Sequence, residues 1–387
     1  MSLLDTLRSD LADLEAASLR RRHRVVSTPC APQVTVDGHE LLAFCSNDYL
    51  GLANHPAIAH ALTEGVARYG SGAGAAHLVS GHYDAHERLE ARLAAFTGCE
   101  RALLFSTGYM ANTGVLPALA GRGDAIFADR LNHASLIDGA LLSRARFIRY
   151  PHLDLSALER ALQETPARRR VIVSDAVFSM DGDIAPLAEL LELAERFDAW
   201  LVVDDAHGFG TLGPQGRGAL AEAGLQSWRI VLIGTLGKAA GVSGAFAAGQ
   251  AEVVEWLLQK ARTHLFTTAT PPALAEALLA ALELIEQGET LRRQLDENIA
   301  LFRRELRCTR WTLLPSRTAI QPLVIGDNDE TLRAADALRA QGLWVPAIRP
   351  PTVPAGLARL RVSLSAAHSA DDVRRLATQL NALEAAT

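Results

Sequence analysis

From about residue 100 onward the chain alternates short, nearly continuous apolar runs with amphipathic stretches. "ALLFST", "AIFAD", "RFIRY", "VIVSDAVFS", "WLVVDDAHG" and "RIVLIGT" read as strands, and "YMANTGVLPALAG", "ASLIDGALLS", "LSALERALQET" and "PLAELLELAERF" between them read as helices. Strands that are apolar on both faces, separated by helices, predict a mainly parallel central sheet covered by helices, an α/β fold. Near residue 270 the pattern changes. "TTATPPALAEALLAALELIEQGETLRRQLDENIALFRREL" predicts one long helix or two, opened by Pro271 and Pro272 near the first turn. "AIQPLVIGD" and "LARLRVSLSA" predict strands, and "ADDVRRLATQLNALEA" a last amphipathic helix. The expected division is an N-terminal helical segment over 1–45, a large α/β domain over 46–285 and a small C-terminal α+β domain over 286–387.

Composition narrows the class. Of 387 residues 49% are hydrophobic and 21% charged, as in ordinary globular proteins. A formal net charge of −6 argues against a nucleic-acid partner, since phosphate binding needs a basic surface. The basic runs "LRRRHR" and "ARRR" read by default as solvated surface. "MSLLDTLRSDLADLEAA" places acids among its leucines, so it predicts an amphipathic helix rather than a signal peptide. No apolar stretch is long enough to span a bilayer, so no membrane is expected. Cys30, Cys45, Cys99 and Cys308 show no CxxC spacing, which fits a reducing, cytoplasmic setting.

Ligands of parallel sheets sit beyond the carboxyl ends of the strands, so the polar residues there are the ones that matter. Three ends stand out: Ser179 and Asp181 after one strand, Asp204, Asp205 and His207 after another, and Lys238 in "GTLGKAAG" after a third. Consecutive strand residues face opposite ways, so Asp204 and Asp205 cannot share one crevice, and one of them is structural. Generic motifs fail on context. "GFGTLG" matches GxGxxG, but Pro214, Gly216 and Gly218 follow where a dinucleotide site needs a helix. "GTLGK" is no P-loop, because Leu232 replaces the first glycine and Ala239 the magnesium-holding Ser or Thr. "HYDAH" could set His82 and His86 on one helical face, yet no third ligand is evident, and two surface or core histidines are the plainer reading. No metal is expected.

A sheltered lysine, a carboxylate, a histidine and small hydroxyls on neighbouring strand ends form the set that pyridoxal 5'-phosphate (PLP) requires. The lysine takes the aldehyde, the acid keeps the pyridine nitrogen protonated, and hydroxyl or amide donors hold the phosphate. Taken singly, Asp204 could cap a turn and His207 could be a satisfied core histidine.

"VFSMDGDIAPL", "VDDAHGFGTLGPQGRG" and "GTLGKAAGVSG" resemble signature segments of the α-oxoamine synthases, fold-type I PLP-dependent transferases that join an amino acid to an acyl thioester with loss of CO2. "CSNDYLGLA", "DRLNHASLIDG" and "AIRPPTVPAGLARLRVSLSAAH" extend the likeness across almost the whole chain and point to the members that use L-alanine and a pimeloyl thioester, on CoA or a carrier protein, in biotin biosynthesis. The resemblance implies catalytic roles for Lys238 as the Schiff-base lysine, Asp204 at the pyridine nitrogen, His207 near the phenolic oxygen with Ser179, and His133 on the ring face. It leaves Asp205 as a structural neighbour. Gly108, Tyr109 and Thr235 would hold the phosphate. Arg349 would receive the amino acid's carboxylate, and Arg21 and Thr352, with Asn47 at the same mouth, would meet the acyl substrate. It also implies a homodimer with shared active sites, in which Thr267 or Thr268 of "HLFTTATPP" reaches the other chain's phosphate. The alternatives are a glycine C-acetyltransferase and a catalytically silent scaffold. Ala239 and Ala240 depart from the family, whose members often carry a glycine and an aromatic residue after the lysine.

Overall fold

In the computed structural model, which describes residues 2–386, the chain forms two units. One comprises Leu50–Ser179 and Asp183–Arg292; the other runs from the N-terminus to Tyr49, takes in Met180–Gly182, and resumes from Arg293 to the C-terminus. The chain opens with α1 (Leu3–Ala16), where the Ser2 hydroxyl and the Asp5 carboxylate cap each other's backbone N–H groups. Within the expected N-terminal helical segment, the chain after α1 forms an antiparallel hairpin instead, β1 (Gln33–Val36) and β2 (His39–Ala43). The reason is local: Val34, Val36, Leu41 and Ala43 bury together on one face of the hairpin.

The larger unit starts with α2 (Pro56–Tyr69), a π-helical turn at His77–Gly81, and α3 (Asp84–Thr97). Strands and helices then alternate: β3 (Arg101–Phe105), α4 (Gly108–Leu119), β4 (Ala125–Asp129), α5 (Ala134–Ser143), β5 (Arg146–Tyr150), α6 (Leu155–Glu164), β6 (Arg170–Asp175), α7 (Leu187–Arg196), β7 (Ala199–Asp204), the four-residue α8 (Ala219–Glu222) and β8 (Ile230–Thr235). After β9 (Ala245–Gly249) come α9 (Ala251–Lys260), α10 (Arg262–Leu265) and α11 (Pro272–Glu286). The seven strands are ordered β3-β9-β8-β7-β6-β4-β5. Pairing is parallel from β8 through β7, β6 and β4 to β5, while β9 runs antiparallel between β3 and β8. Val171, Ile172, Val173, Leu201, Val202 and Val203 are fully buried, as strands covered on both faces require. Between β7 and α8 lies only a short 3-10 turn at Pro214–Gly216, so "GFGTLG" opens no helix.

One packing detail positions the site. A Cβ on Gly139 of α5 would stand 2.6 Å from the carbonyl oxygen of Asn112 in α4, so only glycine lets the two helices approach this closely. That approach sets Asn112 against Ser135 at the end of the sheet.

The smaller unit continues from α12 (Glu289–Glu305), so the long helical pattern near 270–306 resolves into two helices. Then follow β10 (Thr312–Leu313), β11 (Ile320–Gly326), α13 (Asn328–Ala340), β12 (Leu343–Trp344), β13 (Ala347–Ile348), β14 (Ala358–Ser363) and α14 (Ala370–Ala386). The two expected strands are β11 and β14, paired antiparallel in a sheet ordered β10-β11-β14-β13, while β12 adds to the β1–β2 hairpin. Among the described residues no helix is long and apolar enough to cross a membrane.

Candidate active site

The groups singled out from the sequence gather at the carboxyl ends of β7 and β8, neighbouring parallel strands. Lys238 follows β8, half-buried, with its Nζ 3.0 Å from Nε2 of His207, which is 6% exposed. Asp204 ends β7 and is 5% exposed. Its Oδ1 accepts the Ala206 N–H at 3.0 Å and its Oδ2 accepts the Asn112 side-chain amide at 2.6 Å. The same amide nitrogen donates to Ser135 Oγ at 2.8 Å, and Ser135 Oγ lies 2.7 Å from Nδ1 of His133. The Ser135 backbone N–H also donates to that Nδ1, at 3.3 Å, so Nδ1 is the acceptor and the Ser135 hydroxyl donates to it. A continuous polar network thus runs from Asp204 through Asn112 and Ser135 to His133. The His133 backbone N–H is fixed in turn by Asp175 Oδ2 at 2.6 Å.

Asn112, Ser135 and Asp204 of this network are buried, and His133 lies at its outer end. Desolvation first, and then the neighbouring Lys238, hold the His133 imidazole below its ordinary pKa against the pull of Asp204. Burial, with the charge of Asp204 adding to it, holds the Asp175 carboxyl well above the usual carboxylate range.

Asp205 faces the other way. Its Oδ2 accepts the Ala219 N–H of α8 at 2.7 Å, and burial pushes its carboxyl up to about 8. Cβ atoms on Gly208 or Gly218 would fall 2.1 and 2.0 Å from its two oxygens, so both glycines exist to admit it. Asp181, prominent in the sequence, is a structural group: Arg359 binds it at 2.8 Å within the smaller unit.

An anion cradle is formed by α4. Thr107 caps the helix by accepting the Met110 N–H at 3.1 Å. By helix geometry the first N–H groups, at Gly108 and Tyr109, have no intrahelical acceptor, and the macrodipole favours negative charge there. Thr235 is beside it, 3.8 Å from where a Gly108 Cβ would stand, and the Tyr109 hydroxyl is bound by Asp138. Ser179 is half-buried in the loop beyond β6.

Arg21, Asn47, Arg349 and Thr352 belong to the smaller unit. Arg349 and Arg21 are close enough for Arg21 to reinforce the desolvation that lowers the pKa of Arg349. Arg349 donates to the Ser18 carbonyl, while its buried Nε has no partner, leaving a guanidinium with a donor unspent. Thr352 is exposed, its N–H bonded to the Arg349 carbonyl at 3.1 Å. Asn47 Oδ1 accepts from Tyr49 at 3.0 Å and Arg361 at 3.3 Å.

The donor set in the larger unit fits PLP: a shielded amine, a buried carboxylate held by two donors, and a capped helix N-terminus with an adjacent hydroxyl. Three contributors escaped the sequence reading, namely Asn112, Ser135 and Asp175. Asn112 did leave a signal, as a polar residue on the buried length of an otherwise apolar helix.

The profile of the family described as aminotransferase class I and II matches residues 39–380. A relative from Aromatoleum aromaticum, an 8-amino-7-oxononanoate synthase, is 70% identical over 383 residues, covering 99% of both chains. Among solved structures, SPT with its PLP internal aldimine superposes with a TM-score of 0.93 at 28% identity, covering 100% of this chain and 99% of that one. The 8-amino-7-oxononanoate synthase of Francisella tularensis gives 0.76 at 31% identity, covering 89% and 97%.

Proposed function

This chain belongs to the aminotransferase class I and II family, and from that membership we propose how its residues act in the condensation of L-alanine with a pimeloyl thioester. It is a PLP-dependent acyltransferase of the α-oxoamine synthase type, and its product is 8-amino-7-oxononanoate, a step of biotin biosynthesis. The contact between Lys238 Nζ and His207 Nε2 at 3.0 Å, one strand away from Asp204, carries the assignment of roles.

When bound, PLP supplies an aldehyde that captures amines and a protonated ring that takes up the electron pair released at the amino acid's α-carbon. Lys238 would hold the aldehyde and, as a free amine, would move the substrate's α-proton at Nζ. A neutral amine is needed for that work, and a lysine is the side chain that can supply one at such a site. Asp204, clamped by Asn112 and Ala206, holds a proton on the ring nitrogen. His133, oriented by Ser135 and Asp175, offers a flat ring for stacking. The N-terminus of α4 with Thr235 binds the phosphate, His207 and Ser179 the phenolic oxygen, and Arg349 the alanine carboxylate. Arg21, Asn47 and Thr352 bind the acyl substrate. The working form is a cytoplasmic homodimer, with Thr267 or Thr268 serving the other chain's phosphate.

The test is thiol release measured for alanine and glycine against pimeloyl and acetyl thioesters, each on CoA and on a carrier protein. Alanine with a pimeloyl thioester turns over fastest. Turnover confined to glycine and acetyl-CoA would instead make the chain a glycine C-acetyltransferase, and no turnover with any pair would make it a scaffold. Borohydride reduction followed by peptide mass spectrometry places the label on Lys238.

A further inference from the structure

Apart from the groups assigned to the reaction, four histidines of the larger unit pack ring against ring. His77 begins the π-helical turn and His82 follows it; His86 lies in the first turn of α3 and His264 in α10. Sequence spacing stops at two ligands, His82 and His86. The π-helical turn supplies a third, because it folds residue 77 back against the other two. Ring centres are 5.2 Å apart for His77 and His82, 5.0 Å for His77 and His86, and 5.5 Å for His82 and His86. An imidazole nitrogen bound at roughly 2.0–2.1 Å puts its ring centre about 3.2 Å from a zinc ion, so three rings at tetrahedral angles stand about 5.2 Å apart. A nitrogen from each ring lies within 4.8 Å of the others.

The surroundings suit a metal better than a plain core. His82 turns Nδ1 toward Nδ1 of His77 at 2.9 Å, and its far nitrogen, Nε2, is 3.1 Å from Glu87 Oε2. A carboxylate on the far nitrogen fixes the tautomer and bares the near one, which is the outer-shell arrangement of metal-bound histidines. The His77 ring is held flat against His264, with centres 4.8 Å apart and 13° between planes. His77 is half-buried and His86 buried, so both rings are fixed by packing against their neighbours rather than free in solvent. A simple core would pack apolar groups here and leave no buried nitrogen unpaired, whereas His264 Nε2 is buried without a partner. His86 at present accepts the Tyr83 N–H at 3.1 Å and donates to the Thr270 carbonyl at 2.9 Å. Ligation releases one of these, which ties the ion to the segment held at Ala75 and Ala76 by Ala269 and Thr268.

The geometry points to a binding site for one divalent transition-metal ion of the zinc class, held by His77, His82 and His86, with the fourth position open to water or a small ligand. Imidazole donors without thiolate suit zinc, nickel and copper.

Calorimetric titration of Zn2+ into the tag-free, PLP-loaded full chain tests this. The variants are His77→Gln and His82→Gln, with His39→Gln, an exposed histidine elsewhere, as control. His77 and His82 are themselves half-buried and exposed, so both variants fold, as thermal unfolding verifies. We expect one ion per chain, at least a tenfold loss of affinity in both ligand variants and none in the control. X-ray absorption at the zinc edge then shows a nitrogen and oxygen shell with imidazole scattering. Failure of the unaltered protein to bind one equivalent, undiminished affinity in the two variants, or sulfur in the shell each overturns the proposal.

Discussion

Asp204 and Asp205 are the same residue, adjacent in sequence and both buried, yet they serve opposite sides of one strand. Asp204 faces the polar network of Asn112, Ser135 and His133, where its two oxygens accept from the Asn112 amide and the Ala206 N–H. Asp205 faces a cage built from the Ala219 N–H and two glycines, where burial favours a proton and the carboxyl acts as a hydrogen-bonding strut. The pleat alone separates them. Chemistry follows from what a side chain faces, so loss of one should silence the enzyme while loss of the other should loosen it.

The largest effect belongs to the face of Asp204. On the proposed roles, Lys238→Ala would remove the anchoring amine and the proton carrier together; turnover should fall by on the order of 10³-fold or more, with no borohydride-stable label and an unchanged unfolding midpoint. Asp204→Asn keeps the Asn112 contact but cannot hold a ring proton, so turnover should drop by about 10²–10⁴-fold with the fold intact. The same change at the next position, Asp205→Asn, should leave turnover near that of the unaltered protein. Equal losses in the two variants would erase the distinction.

The opposite face answers in stability. Gly218 has φ +100° and a Cβ there would meet Asp205 Oδ2 at 2.0 Å, so Gly218→Ala combines backbone strain with overpacking. A loss of roughly 3–5 kcal/mol is expected from denaturant unfolding, with turnover per folded molecule retained as far as the loop beyond β7 keeps its place.

Much of this division was legible in the sequence. The alternation of apolar runs and amphipathic helices carried β3 to β8 and α4 to α7 to within a few residues, because the central strands, buried on both faces, leave almost no polar positions to confuse the pattern, while the short α8 carries no such pattern. β9 escaped, since "AFAAG" is too small and glycine-bounded to look like a strand until it pairs between β3 and β8. The hairpin of β1 and β2 was overlooked for a related reason: four or five residues of alternation are outweighed by a nearby helix with a clear capping box. Lys238, Asp204 and His207 were readable because strand ends are where ligands sit. Asn112 and Ser135 were not, because their roles arise only where Gly139 lets α4 and α5 touch. His77 became a partner of His82 and His86 only through a π-helical turn that no helical periodicity predicts.

The smallest effect distinguishes the two aspartates by pH alone. Asp205 titrates near 8 in the folded chain against about 3.9 when unfolded, so between these values the folded state binds more protons than the unfolded state. Its contribution to stability is therefore fully present below about pH 4 and is lost as pH rises through 8. His77 and His86, driven down to about 3 and 4, act in the opposite sense, since the unfolded chain takes up protons first as pH falls below about 6.5. These histidines are common to both proteins, so subtracting the Asp205→Asn curve from that of the unaltered protein cancels them. Asparagine can still accept the Ala219 N–H but has no proton to lose. The difference between the two stability curves should therefore shift by up to about 3–4 kcal/mol between pH 5 and pH 8, in favour of the variant at the alkaline end. Parallel curves across that range would show that Asp205 is ionised throughout, and the two faces of β7 would then differ in partners but not in charge.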